Sequence, residues 1–226
     1  MLIDLHTHTR ALSWDSDLDL DELIERSRKA GLDGVCLTEH DFFWDGDAVA
    51  RAAERHGFVV IPGVEINTEV GHFLCFGIDR YVYGMHRWQE LAEHVREAGG
   101  AMVAAHPYRR QLPAADEAHA QYAEWLEKAS RNPAYAACAA IEQINGRGKP
   151  AENGFAARVG EAVGLPGVAG SDAHQLSDIG SCATEFERRV GGLDQLIEEL
   201  RAGRFRPVRL NGAAAEAPAA SAKGVD

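Results

Sequence analysis

A series of short polar runs carries the chemistry legible in this 226-residue chain. In chain order they are His6-Thr7-His8, Glu39-His40-Asp41, Gly63-Val64-Glu65, Gly71-His72, Ala105-His106-Pro107, Asn145-Gly146-Arg147 and Ser171-Asp172-Ala173-His174, and they hold six of the ten histidines. Neutral imidazoles together with carboxylates are the ligand set preferred by zinc, manganese and iron. On an extended segment, side chains repeat every second residue, so His6 and His8 face one side, as do Asp172 and His174. Glu65 suits a bridging role, because one carboxylate has two oxygens to share between ions. Each run alone has an ordinary reading, as a turn, a helix cap or a satisfied core histidine. Their recurrence points to a polynuclear metal site.

The elements that must position these residues alternate along the chain. Apolar, β-prone runs cover 2–5, 34–38, 59–62, 73–78, 101–105, 140–144 and 166–169. Helical periodicity covers 20–30, 47–56, 86–98, 118–130, 152–163 and 193–202. Gly31, Gly57, Gly99 and Gly164 follow four of these helices, where left-handed caps are expected. The strands read as continuous hydrophobic runs, the pattern of a parallel sheet covered on both faces. About seven such units suit an α/β fold that is a distorted or incomplete barrel better than a closed eightfold one, with a doubly wound open sheet as the alternative. In barrels, functional groups gather at the carboxyl ends of the strands, and the polar runs fall there except for Gly71-His72, beside which the fourth strand begins. Asp41 either orients a ligand or caps the helix that follows it. His56, His86, His94 and His119 lie on or beside helices and read as surface or cap residues.

Composition sets limits on partners. A net charge of −12 argues against a long footprint on duplex nucleic acid, whereas bound cations would still admit a small phosphorylated substrate. Cys36, Cys75, Cys138 and Cys182 are widely spaced and read as small buried hydrophobes rather than a disulfide framework. No apolar run approaches the roughly 20 residues needed to span a bilayer, and the first residues lack a signal-peptide layout, so a cytoplasmic location is expected. Residues 1–210 are read as one domain, and the Ala/Pro/Ser-rich segment 211–226 as a disordered tail.

The motifs DLHTHT at 4–9, TEHD at 38–41, PGVEI at 62–66, GHFLCFGI at 71–78, AHP at 105–107 and GSDAH at 170–174 resemble, in order, those of the PHP (polymerase and histidinol phosphatase) superfamily. The resemblance implies a distorted (β/α)7 barrel with two or three divalent ions (Mn, Fe or Zn) and phosphoesterase activity. One ion would be held by His6, His8, Glu65 and Asp172. A second would share Glu65 and add His72 and His106, and a third would take Asp15, His40 and His174. Asp17 rivals Asp15, because the segment RALSWDSD departs from the family's short S-D-G. Glu39 stands where the family commonly has aspartate, and it is not assigned as a ligand. The stretch between His106 and Asp172 is short for an inserted cap, which implies an open site.

The implied reaction uses a hydroxide formed at the metals, and no side chain is singled out as acid or base. Arg10, Arg109 and Arg147 lie near the motifs and suit a phosphate fork, with Asn145 beside them. The expected substrate is a small phosphorylated metabolite, a nucleotide or a short oligonucleotide. Two other readings remain open: an amidohydrolase-like C–N hydrolase and a non-catalytic metal-binding accessory domain. The former generally needs a bridging lysine; Glu65 holds the matching place, and Lys29, Lys128, Lys149 and Lys223 lie elsewhere.

Overall fold

In the computed structural model, residues 1–111 and 117–210 are described. The tail expected at 211–226 lies outside the described residues. Strands are β1 (Leu2–Thr7), β2 (Gly34–Leu37), β3 (Val59–Pro62), β4 (Val64–Thr68), β5 (Gly71–Phe76), β6 (Ala101–Ala104), β7 (Ala140–Asn145), β8 (Gly167–Gly170), β9 (Cys182–Phe186) and β10 (Phe205–Arg209). Helices are α1 (Leu20–Lys29), α2 (Gly46–His56), α3 (Trp88–Glu97), α4 (Tyr122–Ser130), α5 (Pro150–Val163) and α6 (Leu193–Ala202), with a 3-10 turn at Pro133–Ala137.

The α/β class holds, but the sheet is not one continuous parallel barrel. Two five-stranded sheets form, in the orders β10-β9-β1-β2-β3 and β4-β5-β6-β7-β8. Both are mixed: β1, β2 and β3 are parallel, as are β6, β7 and β8, while β9, β10, β4 and β5 join antiparallel. Between the sheets, only isolated bridges are found among the described residues, Thr7 to Ala173 and His40 to Glu65. Both seams therefore fall on the polar motifs. At one, the Asp172 N–H donates to the His6 carbonyl at 2.8 Å and the His8 N–H to the Ala173 carbonyl at 3.0 Å. At the other, the Glu65 N–H donates to the Glu39 carbonyl at 3.0 Å and the Asp41 N–H to the Glu65 carbonyl at 2.9 Å.

Three strands escaped the sequence reading. Gly63 separates β3, expected at 59–62, from β4, which was not expected. A Cβ there would lie 2.7 Å from the Phe76 ring, so glycine is needed for this close crossing. The short antiparallel strands β9 and β10 carry charged residues, and Pro207 marks β10 as an edge. Helix ends follow the expected chemistry: Asp19 and Asp45 cap α1 and α2, and Gly57 and Gly164 adopt left-handed caps with φ +56° and +72°. Asp45, not Asp41, caps α2, and α4 starts at Tyr122 rather than near 118.

Ile3 and Leu5 of β1 pack with Cys36, Ile61, Leu74, Val103 and Val168 in a core shared by both sheets. Strict alternation would next turn Thr7 toward that core. Instead β1 gains a residue against β2 between Asp4 and Thr7, the pairing running from Asp4–Val35 to Thr7–Leu37. Such a bulge re-aims side chains, and His6 and His8 turn toward Glu65 and Asp172. A second irregularity lies in β7 between Glu142 and Ile144. The cysteines are free thiols, with Cys36, Cys75 and Cys182 buried. Among the described residues, no helix is long and apolar enough to cross a membrane.

Candidate metal centre

Glu65, 1% exposed, is the hub of the polar motifs. Its Oε1 lies 2.9 Å from His72 Nδ1 and 2.9 Å from His106 Nε2. Its Oε2 lies 2.9 Å from His40 Nδ1, 3.3 Å from His6 Nε2 and 3.5 Å from His8 Nε2. One carboxylate thus stands between two groups of imidazoles. Asp172 Oδ1 lies 3.3 Å from His8 Nε2, 3.6 Å from His6 Nε2 and 3.5 Å from His174 Nδ1. Asp15 Oδ2 lies 3.2 Å from His174 Nε2 and 3.5 Å from His40 Nε2. Asp17, its rival, enters through its backbone N–H, which donates to the His174 carbonyl at 2.9 Å, and its side chain is exposed.

The far nitrogens of three histidines are spoken for, which fixes the tautomers by inference. His6 Nδ1 is 3.0 Å from Glu142 Oε1, an acceptor, so it carries the proton. His174 Nδ1 donates to the Asp172 carbonyl at 2.8 Å. His8 Nδ1 is 3.3 Å from Ser13 Oγ, whose own proton goes to Glu39 Oε2 at 2.5 Å. In the neutral form of each ring, the form that binds a cation, Nε2 is then left with a lone pair directed into the cluster. Orienting partners of this kind are typical behind metal ligands.

The donor set fits divalent cations. His6 Nε2 and His8 Nε2, and Glu65 Oε2 despite its 2.9 Å approach to His40 Nδ1, are buried without a well-directed hydrogen bond, a costly arrangement unless a ligand satisfies them. Four groups of ligand atoms lie within 4.8 Å of one another: His8, His40 and His174; His6, His8 and Asp172; Glu65, His72 and His106; and His6, His106 and Glu142. Charge points the same way. Asp4, Glu39, Glu65, Glu142 and Asp172 are all buried here. Burial opposes ionisation of Glu65 and Asp172, yet His6 above all, with other imidazoles and, for Asp172, Arg109, holds both well below the usual carboxylate range. Burial likewise opposes charging His6, but Glu142, Asp172 and Glu65 raise it well above its ordinary value. His8, by contrast, is pushed down to about 4 by burial, aided by His6. Without cations, the carboxylates must borrow positive charge from a buried imidazole.

Sequence reasoning missed three buried carboxylates behind the cluster: Asp4, which accepts the His6 and Ser171 N–H groups, Glu39 and Glu142. Glu142 also accepts the His106 N–H at 2.8 Å and an Asn145 Nδ2 proton at 3.1 Å. Its signal was a lone acid within the apolar strand AIEQIN, since buried acids are rarely unpartnered. Glu39 accepts from Thr9 N, Thr9 Oγ1 and Trp44 Nε1 besides Ser13, and so braces the loop after β1. Asp41 accepts the Asn67 N–H at 3.2 Å and steadies β4. His106 and Asp172 have φ of +25° and +54°, unusual for residues with a Cβ and frequent at functional sites.

Of the residues expected at the substrate, Arg109 and Asn145 join the cluster. Arg109 pairs with Asp172 Oδ2 and donates to Asn145 Oδ1 at 2.9 Å. Arg147 is exposed, and its backbone N–H bonds Asn145 Oδ1. Arg10 pairs with Asp19 at the surface, 2.7 Å away. A cavity of about 220 Å³, lined by His72, His106, Arg109, Arg110 and Tyr135 among others, opens beside the cluster. The other histidines stand apart: His56 pairs with Asp21 and Glu25, and His119 stacks on Trp125.

Imidazoles and carboxylates gathered at strand ends of an α/β fold define a metal-binding domain of the kind found in hydrolases. The chain belongs to the PHP family: the PHP-domain family model matches residues 4–162, and that of the PHP-associated region matches 150–205. It is 27% identical over 97 residues to the "Probable histidinol-phosphatase" of Thermotoga maritima, covering 39% of this chain and 41% of that relative. The chain thus matches less than half of that protein. Two solved structures share the fold. A candidate metal-dependent phosphoesterase of Bifidobacterium adolescentis superposes with a TM-score of 0.59 at 17% identity, over 88% of this chain and 95% of that one. An amidohydrolase of Chromobacterium violaceum, with sulfate and no metal bound, gives 0.61 at 20% identity, over 92% and 97%. One fold bears both names, so it does not by itself choose the bond cleaved.

Proposed function

We propose that this chain is a metal-dependent phosphoesterase that hydrolyses small phosphorylated substrates. The reading rests on one observation: Glu65 stands between two groups of imidazoles, the buried Nε2 atoms of His6 and His8 among them lacking a hydrogen-bond partner, close to an arginine paired with Asp172 and Asn145. His6, His8, Glu65 and Asp172 would hold one ion, Glu65, His72 and His106 a second, and Asp15, His40 and His174 a third. When bound, two or three such ions (Mn, Fe or Zn) supply Lewis acidity and bring the pKa of water toward neutrality.

The chain's own groups do the rest. Glu142, Ser13 and the Asp172 carbonyl hold the imidazoles with Nε2 inward. Arg109, planar and always charged, would grip phosphoryl oxygens, with Asn145 holding its guanidinium and Arg147, exposed and bonded through its N–H to the same amide, as a further cation. Arg10 stands farther out. The negative net charge keeps long duplexes away. Among the described residues no lysine joins the cluster, which disfavours a C–N hydrolase that needs one as a bridge.

The test is hydrolysis of p-nitrophenyl phosphate and its diester by the manganese-loaded protein, followed by EDTA. Turnover should appear with manganese, vanish with chelator, and fall about a hundredfold or more in His106→Ala and Asp172→Ala with the far-UV spectrum unchanged. Wild-type rates in a folded, metal-depleted Asp172→Ala protein would overturn the assignment.

A further inference from the structure

Glu39, which follows β2 and precedes His40, is fully buried. Its Oε1 accepts from Thr9 Oγ1 at 2.5 Å, Trp44 Nε1 at 2.8 Å and the Thr9 N–H at 3.1 Å. Its Oε2 accepts from Ser13 Oγ at 2.5 Å and from the same N–H at 3.0 Å. These donors are all neutral, so a buried charge is answered by dipoles alone. Keeping such a carboxylate is costly, and what it secures is the segment 9–18, which carries Asp15.

That segment is tied at both ends. The Ser13 N–H donates to the Thr9 carbonyl at 2.9 Å, and the Arg10 N–H donates to the Leu18 carbonyl at 2.8 Å. Across the cluster, the Asp17 N–H donates to the His174 carbonyl at 2.9 Å, while Ser16 Oγ lies 2.9 and 3.3 Å from the His8 and His174 carbonyls. Asp15, between these ties, stands 3.2 Å from His174 Nε2 and 3.5 Å from His40 Nε2. Ser13 Oγ also lies 3.3 Å from His8 Nδ1 and 3.4 Å from the His40 backbone nitrogen. The charge of Glu39 is thus one hydroxyl away from both histidines, where it favours a bound cation. Among the described residues, its side chain makes no hydrogen bond to Glu65, His72 or His106.

We propose that Glu39 is the positioning residue for the third ion: by holding Thr9 and Ser13 it presets segment 9–18 so that Asp15 meets His40 and His174 independently of any ion. The inference rests on the metal-centre reading for the ion itself. Glu39 acts through Asp15, which it does not touch. A carboxylate is required because its two oxygens take Thr9, Ser13 and Trp44 together, whereas glutamine offers one acceptor oxygen and turns an N–H₂ toward donors.

The experiment has two readouts, neither of them turnover. Manganese per chain is measured by elemental analysis after dialysis against a fixed free concentration, for the wild type, Glu39→Gln, Glu39→Asp, Asp15→Asn and the Glu39→Gln/Asp15→Asn double variant. The wild type should hold three ions, and Glu39→Gln and Asp15→Asn two each. The double variant should also hold two, because both changes remove the same ion. Glu39→Asp, which keeps both oxygens, should recover the third in part. In the metal-free proteins, trypsin should cut after Arg10 about tenfold faster or more in Glu39→Gln than in the wild type, with far-UV spectra superimposable and Asp15→Asn at the wild-type rate. Three ions in Glu39→Gln, one ion in the double variant, or equal cleavage of Glu39→Gln and wild type each overturn the proposal. A wild type holding two ions, unchanged by Asp15→Asn, removes the third site and the proposal with it. Ser13→Ala carries the cleavage test if Glu39→Gln does not fold: cutting should still quicken, and an unchanged rate sinks the idea. The expected pattern in a protein that hydrolyses no phosphate ester would end the phosphoesterase reading and leave the role of Glu39 standing.

Discussion

Glu142 Oε1 lies 3.0 Å from His6 Nδ1, on the opposite side of the ring from the nitrogen that faces Glu65 and Asp172. The acid fixes the tautomer of the His6 ring, and through its other oxygen it anchors the backbone of His106. Two residues assigned to different ions are thus braced by one buried carboxylate.

Replacing Glu142 with glutamine should therefore weaken metal binding by roughly 10- to 100-fold without unfolding the chain. Competition with a chromophoric chelator measures it. An affinity equal to wild type would mean that the His6 orientation is set elsewhere.

Gly170 lets the second sheet approach β1. A Cβ at that position would stand 2.4 Å from His6 Cβ and 2.8 Å from Glu142 Oε1. Gly170→Ala should cost about 1–3 kcal/mol and reduce metal content. Gly46→Ala, where a Cβ meets nothing within 4 Å at the start of a helix, should be neutral or slightly stabilising. Thermal melts of the two variants, compared side by side, check the contrast.

Arg109 makes its contacts with Asp172 and Asn145 through one guanidinium nitrogen. Arg109→Lys keeps the charge but loses the fork. KM for a phosphate ester should rise by about tenfold or more while metal content stays at the wild-type value. A change in metal content with unaltered KM would instead make Arg109 a support for Asp172.

The metal-free protein should respond to pH through two histidines with opposite shifts. His8 has an ordinary value of 6.5 and is driven down to about 4 by burial, so the unfolded chain takes the proton first. Its contribution is complete above 6.5 and lost as pH falls toward 4, by up to about 3 kcal/mol. His6 is raised, its carboxylate neighbours outweighing burial. Its contribution is complete below 6.5 and lost as pH rises through the raised value. Urea midpoints should fall on the acid side, and His8→Asn should flatten that limb. Metal loading near neutrality should release protons, because a ligating His6 must be neutral, and an indicator in weak buffer would record it. No release, together with an unchanged acid limb in His8→Asn, would contradict the charge balance drawn for the cluster.

Much of the centre was legible in the chain itself. His6, His8, His40, Glu65, His72, His106, Asp172 and His174 could be picked out because imidazoles and carboxylates recur where apolar runs end. The α/β class and most helix ends followed from periodicity and from glycines expected at left-handed caps, whereas the caps at Asp19 and Asp45 emerged only in the fold. Asp15 could not be separated from Asp17, since both are short-range neighbours of the first motif; only the fold sets Asp15 against His40 and His174. Glu39 and Glu142 were passed over because each looks like an ordinary acid until its burial and its partners are known.

Sequence alone therefore determined which groups are available to bind cations and the order in which they arrive, since residue type and strand alternation are local properties. The folded chain decided which way they point. A bulge in β1 turns His6 and His8 inward after Ile3 and Leu5, an irregularity in β7 accompanies the placement of Glu142 and Asn145, and two seams join mixed sheets where parallel strands in a distorted or incomplete barrel were expected. One inserted residue inverts the face of everything after it, and whether it is inserted depends on the strand alongside, which local alternation does not encode.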